Sequence, residues 1–539
     1  MRLLATMVIV AGALTSASAL GNSAETDVQK TFSNPILPGF HPDPSVTRVG
    51  DDYYLATSSF EWFPAVPIFH SKDLVNWELI NYAVSKPEYL SALNEVEKSR
   101  GIYAPTLRYH DGWYYMITTC VKCGDNFYVK TQDPAGEWSA PVWIEGDRGI
   151  DPSLFWDDDG KVYYTGTGIL DKSKADWINA NGIWIQEIDL ETGKLLGSKK
   201  QLTYGHAVNA RWTEGPHIYK RDGYYYLMVA EGGTGEDHAV TIFRSESVTG
   251  PYVANYKNPL LTHRHLGSNS AIHSTGHADM IETQNGDWYA VMLGKRRFDG
   301  LSPLARESFL TPVSWEDGWP VFNPGVGLLQ LEEVRPNLPW TPLDTKSARD
   351  DFDQAGLRKE YNRLRAQSQD WAEANNGMLS ITLKPDQLGQ EFQQPAMLVR
   401  RIQHPQYTAS LKMKFSSENA NEEAGLVIYR DYQHYYSVAK KANSLELTAV
   451  NDGEVNVLAS IPYKPADAVI KVEDTGNALT FYVGESESAL KVMAENVDAS
   501  YTSDDSAGGF NGPMVGMYAS ANGVTSSSHA EFDWFEYQP

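Results

Sequence analysis

The sequence predicts an all-β protein in which a five-bladed β-propeller is followed by a C-terminal β-sandwich. Three observations predict this fold: five strand–turn–strand repeats in the first part of the chain, a change of composition near residue 340, and short alternating segments beyond it. At 539 residues the chain exceeds the usual size of a single hydrophobic core, which favours two domains.

The first segment, residues 1–19, has the features of a secretory signal peptide. Arg2 precedes an apolar run, and the small-residue sequence "ASA" ends at Ala19. No later segment has the length and apolarity of a membrane-spanning helix. We therefore expect a soluble protein that is secreted or periplasmic.

Five segments of the next part align without gaps. They read "DPSVTRVGDDYYLAT", "YAPTLRYHDGWYYMI", "DPSLFWDDDGKVYYT", "EGPHIYKRDGYYYLM" and "HADMIETQNGDWYAV", and they start at Asp43, Tyr103, Asp151, Glu214 and His277. A short strand, a turn rich in Asp, Asn or Gly, and a second strand rich in Tyr predict a β-hairpin in each. The starts are 60, 48, 63 and 63 residues apart, which is room for the four strands of a propeller blade. We assign residues 34–340 to this propeller.

The starts of the repeats are expected to meet at one end of the central channel, because the first strand of each propeller blade lines it. This brings together three carboxylates, Asp43, Asp151 and Glu214, with Tyr103 and His277. Asp-Pro and Glu-Gly-Pro sequences also initiate turns, which is the alternative explanation. Three like charges at one mouth are costly, however, and such clusters usually serve a function.

Two chemistries suit an acidic mouth. Ca²⁺ prefers six to eight oxygen ligands, and the presence of His277 and Tyr103 makes a pure calcium cage a poor fit. Glycoside cleavage needs one protonated carboxyl as general acid and one ionised carboxylate, and a third can raise the pKa of the acid. Hydrolysis is therefore favoured. The net charge of −24 disfavours a nucleic acid or an anionic membrane as partner.

Neither the cysteines nor the histidines predict a metal site. Cys120 and Cys123 have no two further ligands close by and follow a strand, which indicates a structural pair, such as a small disulfide-closed loop in an oxidising compartment. His273 and His277 have the spacing of metal ligands on a helix, but this spacing has no special meaning among strands and loops.

The composition changes near "EEVRPNLPWTPLDTKSARDDF", where prolines and polar residues replace the blade pattern. Ten short alternating segments follow, from "GMLSITL" to "AEFDWFEY", and they predict a β-sandwich over residues 345–539. A sandwich of this kind is often a carbohydrate-binding module, and a structural role is the alternative.

The ordered motifs "NPILPGFHPDPS", "SSFEWFPAVPIFHSKDLVNW", "GIYAPTL", "DPSLFWDDDG", "TEGPHIY", "GHADM" and "SPLARESF" resemble those of glycoside hydrolase family 43, particularly its β-xylosidase and α-L-arabinofuranosidase members. The resemblance covers nearly the whole mature chain. It implies an inverting enzyme on a five-bladed propeller with a β-sandwich behind it. When the family's catalytic roles are transferred motif by motif, the resemblance implies that Asp43 is the general base and Glu214 the general acid. Asp151 would be a pKa modulator that also orients substrate.

The same resemblance implies further substrate-binding residues. His277 would contact the sugar or a central water or cation, Arg306 would bind sugar hydroxyls, and Phe60 would form an apolar wall. The alternatives are a structural histidine, a surface ion pair and ordinary core packing. A loop of the second domain, "GGFNGPMVGMY", would supply Phe510 to the pocket, unless Phe510 is a core residue.

Two positions depart from the family pattern. Many relatives have Trp where this chain has Tyr103, and an aromatic residue where it has Ile150. Both positions would shape the sugar pocket, so the choice between xylose and arabinose stays open.

The favoured function is an exo-acting, inverting glycosidase that releases D-xylose, L-arabinose or both from xylan-derived oligosaccharides. An α-L-arabinofuranosidase acting on arabinose side chains is the alternative. A sugar-binding propeller without catalysis is disfavoured, because lectin-like repeats should carry equivalent sites in every blade and the mouth positions here differ. The chemistry requires no cofactor, although a structural or activating Ca²⁺ near the channel stays open, and the sequence does not indicate the oligomeric state.

Overall fold

The computed structural model describes residues 30–146 and 149–539, so the expected signal peptide lies outside the described residues. Strands dominate this part of the chain, which contains one short α-helix, α1 (Asp504–Ala507). It also contains four 3₁₀-helices, Pro87–Glu95, Lys172–Lys174, Glu487–Ala489 and Ser500–Thr502. All these described helices are far too short to cross a lipid bilayer. The prediction of an all-β protein is confirmed.

Five antiparallel sheets form the blades of the first domain. Its strands are β1 (Thr31–Ser33), β2 (Ser45–Val49), β3 (Asp52–Ala56), β4 (Trp62–Phe63), β5 (Ala65–Ser71), β6 (Glu78–Val84), β7 (Gly101–Ile102), β8 (Thr106–His110), β9 (Trp113–Val121), β10 (Asp125–Thr131), β11 (Val142–Trp143), β12 (Ser153–Trp156), β13 (Val162–Thr167), β14 (Ile183–Asp189), β15 (Lys194–Thr203), β16 (Glu214–Arg221), β17 (Tyr224–Glu231), β18 (Ala239–Ser245), β19 (Val253–Ala254), β20 (Leu261–Thr262), β21 (Ile272–Glu282), β22 (Trp288–Arg296), β23 (Glu307–Glu316), β24 (Trp319–Phe322) and β25 (Glu332–Val334). The blades are β2-β3-β5-β6, β8-β9-β10-β11, β12-β13-β14-β15, β16-β17-β18-β19 and β21-β22-β23-β24, with β7 added to the second and β20 to the fourth.

The first strands of the five blades form a closed ring. Contacts run from β2 to β8, β12, β16, β21 and back to β2. Each blade begins with one of the five predicted hairpins, because the Asp-, Asn- and Gly-rich turns reverse the chain between two half-buried strands. The five-bladed propeller predicted from the repeats is confirmed.

The two ends of the propeller are joined without a covalent bond. Strand β1 pairs with β25, and the Asn34 side chain donates to the Leu310 carbonyl at 2.9 Å and accepts from the Leu310 amide at 3.0 Å. Further along, the His41 amide donates to the Arg306 carbonyl at 3.0 Å. These bonds place the segment that leads into Asp43 against the loop that carries Arg306.

The second domain is a sandwich of two antiparallel sheets. Its strands are β26 (Arg349–Asp350), β27 (Arg363–Leu364), β28 (Ala372–Asn375), β29 (Met378–Thr382), β30 (Ala396–Arg401), β31 (Tyr407–Lys414), β32 (Glu423–Asp431), β33 (His434–Lys440), β34 (Ser444–Asn451), β35 (Glu454–Pro462), β36 (Asp467–Asp474), β37 (Ala478–Gly484), β38 (Lys491–Asp498), β39 (Met514–Ser520) and β40 (His529–Gln538). One sheet has the order β30-β39-β32-β33-β34-β35, and the other has the order β28-β29-β40-β31-β36-β37-β38, with β26 beside β40. Apolar side chains from both sheets, such as Leu426 and Ile470, form the core between them.

The two domains share a hydrophobic cluster. Phe40, Phe60 and Trp62 of the propeller pack with sandwich residues that include Met397 and Tyr429. Strand β4 also pairs with β27 across the boundary. Burial of each large apolar side chain stabilises by about 1.5–3 kcal/mol, so this contact resists separation of the domains. The connection between β25 and β26 contains residue 340, where the sequence predicts the boundary.

Candidate active site

One cavity of ≈ 70 Å³ lies at the mouth of the propeller channel, and the eight site residues predicted from the sequence all line it. The lining consists of Asp43, Phe60, Tyr103, Ala104, Ile150, Asp151, Glu214, Thr234, His238, His277, Leu293, Arg306 and Phe510. The starts of all five repeats are therefore brought to one place. Phe510 is the member that comes from the sandwich domain.

The backbone is unusual where the first strands begin. Asp43, Asp151 and His277 have φ values of 56°, 55° and 50°, a region that side-chain-bearing residues rarely adopt. Each such residue costs about 1–3 kcal/mol and is found mostly where a side chain must point in a specific direction. The prolines after Asp43 and Asp151 would by themselves favour an extended backbone. The surrounding propeller overrides that preference and turns both carboxylates into the cavity.

Asp43 is buried between two hydrogen-bond donors. The Nη1 of Arg306 donates to its Oδ1 at 2.8 Å, and the Ser58 hydroxyl donates to its Oδ2 at 2.5 Å. These contacts orient the carboxylate and compensate its charge, while each oxygen retains a further lone pair. Arg306 is only 5% exposed, so the surface ion pair considered for it is wrong.

The other two carboxyl groups are held closer to their protonated forms. Burial raises the pKa of Asp151 to about 6, with His277 opposing the shift and Asp43 adding to it. The pKa of Glu214 lies well above its usual range, first because of burial and then because of the charges of Asp151 and Asp43. Two of the three carboxyl groups at the mouth therefore have raised pKa values, as a general acid requires.

His277 packs against the backbone that carries Glu214. A Cβ atom on Gly215 would lie 3.0 Å from the His277 ring, and Gly215 has a φ of 57°. The Gly215 amide donates to Asp151 Oδ2 at 3.1 Å. Glycine at this position thus allows the ring, the Asp151 carboxylate and the Glu214 backbone to lie in direct contact.

Three aromatic rings form one wall of the cavity. The centroids of Phe60 and Phe510 are 5.7 Å apart in a stacked arrangement, and Tyr103 lies edge-on to both at 5.2 and 5.7 Å. The Arg306 guanidinium lies 5.3 Å from the centroids of Phe60 and Phe510. Phe60 and Phe510 are thus both part of the interdomain hydrophobic cluster and part of the pocket surface.

Sequence reasoning missed four lining residues, Ala104, Thr234, His238 and Leu293. Ala104 directly follows a repeat start, and Thr234 and His238 lie between the second and third strands of the fourth blade. Phe60 and Arg306 occupy the same kind of connection in blades one and five. The first hairpin turns at the far end of the channel, so this connection returns to the mouth. The position of Thr234 and His238 in such a connection could therefore have identified them from the sequence.

A second polar cluster lies deeper in the channel. Its central carboxylate, Asp279, accepts from the Arg108 guanidinium at 2.7 and 3.0 Å, from the Ser45 hydroxyl at 2.7 Å and from the Tyr219 hydroxyl at 2.6 Å. His217 Nδ1 lies 2.9 Å from Arg108 Nη2. Burial acts to raise the pKa of Asp279, but the Arg108 charge outweighs it and holds that pKa below its ordinary value.

The described residues contain no group of three or more His, Cys, Asp or Glu side chains arranged to bind a metal ion. In the deeper channel, the Arg108 guanidinium lies beside Asp279, with 2.7 Å between Nη1 and Oδ2. His273 bonds Ser302 rather than His277, at 2.8 Å. Cys120, near the end of β9, and Cys123, in the turn that follows, form a disulfide, as expected for a structural pair.

Both domains match known protein families. Residues 32–320 match the family described as "Glycosyl hydrolases family 43", and residues 349–538 match "Beta xylosidase C-terminal Concanavalin A-like domain". The chain is 40% identical over 518 residues to a "Xylosidase/arabinosidase" of Butyrivibrio fibrisolvens, covering 93% of this chain and 98% of that protein. It is 36% identical over 522 residues to the "Non-reducing end alpha-L-arabinofuranosidase BoGH43B" of Bacteroides ovatus, covering 95% of each.

Among solved structures, the chain is similar to the xylan β-1,4-xylosidase from Bacillus halodurans. The TM-score is 0.86 at 35% identity, and the match covers 94% of this chain and all of that one. Both domains are therefore shared with that protein over essentially their whole length.

Proposed function

This chain belongs to glycosyl hydrolases family 43, and we propose that it is an exo-acting, inverting enzyme that releases D-xylose, L-arabinose or both from xylan-derived oligosaccharides. The observation that carries the proposal is the convergence of Asp43, Asp151 and Glu214 on one cavity closed on one side by aromatic rings. The names of its relatives, which act on xylosides and arabinosides, support a pentose substrate.

The proposed division of labour follows from the surroundings of the carboxyl groups. Glu214 has the raised pKa that a general acid needs, and it donates a proton to the glycosidic oxygen as the bond to the sugar breaks. Asp43, oriented by Arg306 and Ser58, accepts a proton from the water that attacks the opposite face of the sugar. Asp151 contributes a negative charge that raises the pKa of Glu214. Its proposed second role is to orient the sugar.

Exo action is supported by the wall that Phe510 builds. An open propeller mouth would admit the middle of a polysaccharide, whereas Phe510, stacked on Phe60, blocks one side of the cavity. A pocket closed in this way accepts the end of a chain. The sandwich domain, over residues 345–539, is thus proposed to complete the active site rather than to act as a separate binding module.

The choice of pentose is made by the pocket walls. Tyr103 and Ile150 line the cavity at the two positions that depart from the pattern of many relatives. The similarity to a protein named as a non-reducing end α-L-arabinofuranosidase favours arabinose release as the second activity. No cofactor is needed when both acid and base are carboxyl groups, and a structural or activating Ca²⁺ ion near the propeller channel stays a prediction.

We also propose that the enzyme acts outside the cytoplasm, in the periplasm or after secretion. The Cys120–Cys123 disulfide supports this, because disulfides persist in oxidising compartments. The signal-like composition of residues 1–19 agrees with it.

Hydrolysis of paired aryl β-D-xyloside and aryl α-L-arabinofuranoside substrates tests the proposal. We expect at least one to be cleaved, and proton NMR of the fresh product should show the anomer opposite to the bond cleaved. Retention would contradict the role of Asp43 as base. Binding of pentose oligosaccharides without cleavage of either substrate would favour a sugar-binding propeller instead.

A further inference from the structure

Glu61 lies behind the aromatic wall and does not line the cavity. Its side chain is 2% exposed, and its carboxylate accepts hydrogen bonds from two segments that are far apart in the chain. The Ser99 amide donates to it at 3.0 and 3.2 Å, and the Asn511 side-chain amide donates at 2.6 Å. Ser99 belongs to the propeller and Asn511 to the sandwich, so the carboxylate joins the two domains.

Both partners of Glu61 are attached to the rings that face the sugar. The Phe510 amide donates to the Ser99 hydroxyl at 2.9 Å, and the Tyr103 hydroxyl donates to the Ser99 carbonyl at 3.2 Å. Asn511 directly follows Phe510, and Glu61 directly follows Phe60. Phe60 is therefore covalently next to Glu61, and Phe510 and Tyr103 are each linked to its carboxylate through one intervening residue.

The approach of the two loops is close. Gly509, with a φ of 69°, leaves no room for a side chain, because a Cβ atom there would lie 2.5 Å from the Ser99 hydroxyl. The Arg365 amide donates to the Glu61 carbonyl at 2.6 Å, which also fixes the backbone of the propeller segment. Burial raises the pKa of Glu61 to about 7, against the opposing charge of Arg365. Burying a carboxylate costs free energy, and the hydrogen bonds that Glu61 accepts from both domains compensate that cost.

We propose that Glu61 is a positioning residue for sugar binding: by holding the Ser99 and Asn511 segments together, it sets the place of Phe510 in the pocket. This inference rests on the proposed function, because it concerns the affinity of the pentose pocket. It assigns part of that affinity to a group that does not line the pocket. An apolar wall gains no charge complementarity as the glycosidic bond breaks, so we expect it to bind the sugar equally in the ground state and the transition state. Loss of its position should therefore raise KM and leave kcat nearly unchanged.

The first test is a series of variants assayed on an aryl pentoside. Glu61→Ala should raise KM about tenfold, since it removes both charge-assisted bonds. Glu61→Gln keeps the volume and one acceptor oxygen, so its KM should lie between those of the wild type and Glu61→Ala. Asn511→Ala removes the same contact from the sandwich side and should resemble Glu61→Ala, which keeps the test available if Glu61→Ala does not fold.

Glu333 provides a matched control. It is a buried carboxylate whose pKa burial also raises to about 7, and it accepts from the Asn323 side-chain amide at 2.6 Å. It lies on β25, away from the cavity. Glu333→Ala should leave both KM and kcat unchanged within about twofold. An equal rise of KM in Glu333→Ala would show that loss of any buried carboxylate produces the effect, and the inference would be wrong.

The second test asks whether Glu61 acts through Phe510. Adding Glu61→Ala to Phe510→Ala should raise KM no further, because the ring that Glu61 positions is already gone. Fully additive effects would overturn the inference. So would a fall of kcat at unchanged KM in Glu61→Ala.

Crystal structures of the variants distinguish a failure of the role of Glu61 from a failure of the proposed function. In Glu61→Ala the Phe60 and Phe510 centroids should lie farther apart than the 5.7 Å of the wild type, whatever the substrate. A wild type that cleaves no pentoside would overturn the proposed function alone. An unmoved Phe510 ring in Glu61→Ala would overturn the role of Glu61 alone.

Discussion

The mouth of the channel and the cluster below it are built on the same first strands. The pKa values of their buried carboxyl groups are nevertheless shifted in opposite directions. At the mouth, Asp43, Asp151 and Glu214 share a single arginine, Arg306. Burial and mutual repulsion raise the pKa values of Asp151 and Glu214. Below, Asp279 is surrounded by donors from other blades, and the pKa of Asp279 is lowered.

One scaffold thus provides both a stabilising polar cluster and a reactive one. The deeper cluster pairs its charge fully and connects the blades through hydrogen bonds, as expected for a structural network. The mouth leaves carboxyl groups with too few compensating charges, which is the usual arrangement where protons must be transferred.

The largest effect is expected at the mouth. Glu214→Ala should lower kcat/KM on xylo-oligosaccharides by about 10²–10⁴-fold, because their leaving group needs a proton. Aryl glycosides with good leaving groups should lose much less activity. Asp43→Ala should impair both substrate classes, since the attacking water still needs a base. Equal losses of Glu214→Ala on all substrates in steady-state kinetics would contradict the assignment of the acid.

A loss of stability, by contrast, is expected in the deeper cluster. Asp279→Asn leaves the Arg108 charge buried without its partner and should cost about 3–5 kcal/mol of stability, measured by chemical denaturation. Asp151→Asn at the mouth should cost far less, because it relieves repulsion. Asp533→Asn, which removes an exposed pair with Lys412, serves as the control and should cost under about 1 kcal/mol. Similar losses in Asp279→Asn and Asp151→Asn would remove the contrast between the regions.

A smaller effect is expected at the pocket wall. Phe510→Ala should keep the fold and weaken binding of the terminal sugar by about 1–3 kcal/mol, seen as a higher KM, because an apolar contact is lost. Phe392, a half-exposed phenylalanine of the sandwich outside the cavity, is the matched control. Unchanged KM in Phe510→Ala, or an equal change in Phe392→Ala, would argue against a sugar-binding wall.

The smallest effect is a shift in the pH profile. As the proposed general acid, Glu214 must be protonated to act, so its deprotonation should set the alkaline limb of kcat/KM. Asp151→Asn removes a negative charge that raises the pKa of Glu214, and the alkaline limb should move down by about one pH unit. Asp158→Asn, an exposed carboxylate on the far turn of the same blade, should leave the limb in place. A limb that does not move in Asp151→Asn would rule out its role as modulator.

The sandwich strands that the sequence predicted differ in burial from two long strands that it did not predict. All ten segments predicted for the sandwich are strands, and each has at least one buried face. The strands β35 and β38 were not among them. They lie at the edges of the two sheets, and their residues are mostly exposed, so no apolar alternation marks them.

The sequence by itself determined the five hairpins and the register of their starts. Turn residues and a period of two act over a few neighbouring residues, so the pattern could be aligned and the mouth positions identified. It also indicated the three carboxylates, because they occupy equivalent places in three repeats. Their proposed roles required the resemblance to a known family.

Only the tertiary structure decided how these groups are surrounded. Arg306 meets Asp43 across 263 residues, and Asp279 meets Arg108 across 171. Phe510 reaches the pocket from another domain, where Asn511 meets Glu61 across 450 residues. A pKa depends on burial and on charges within a few ångströms, whatever their separation along the chain. No local pattern therefore distinguishes the raised pKa of Glu214 from the lowered pKa of Asp279.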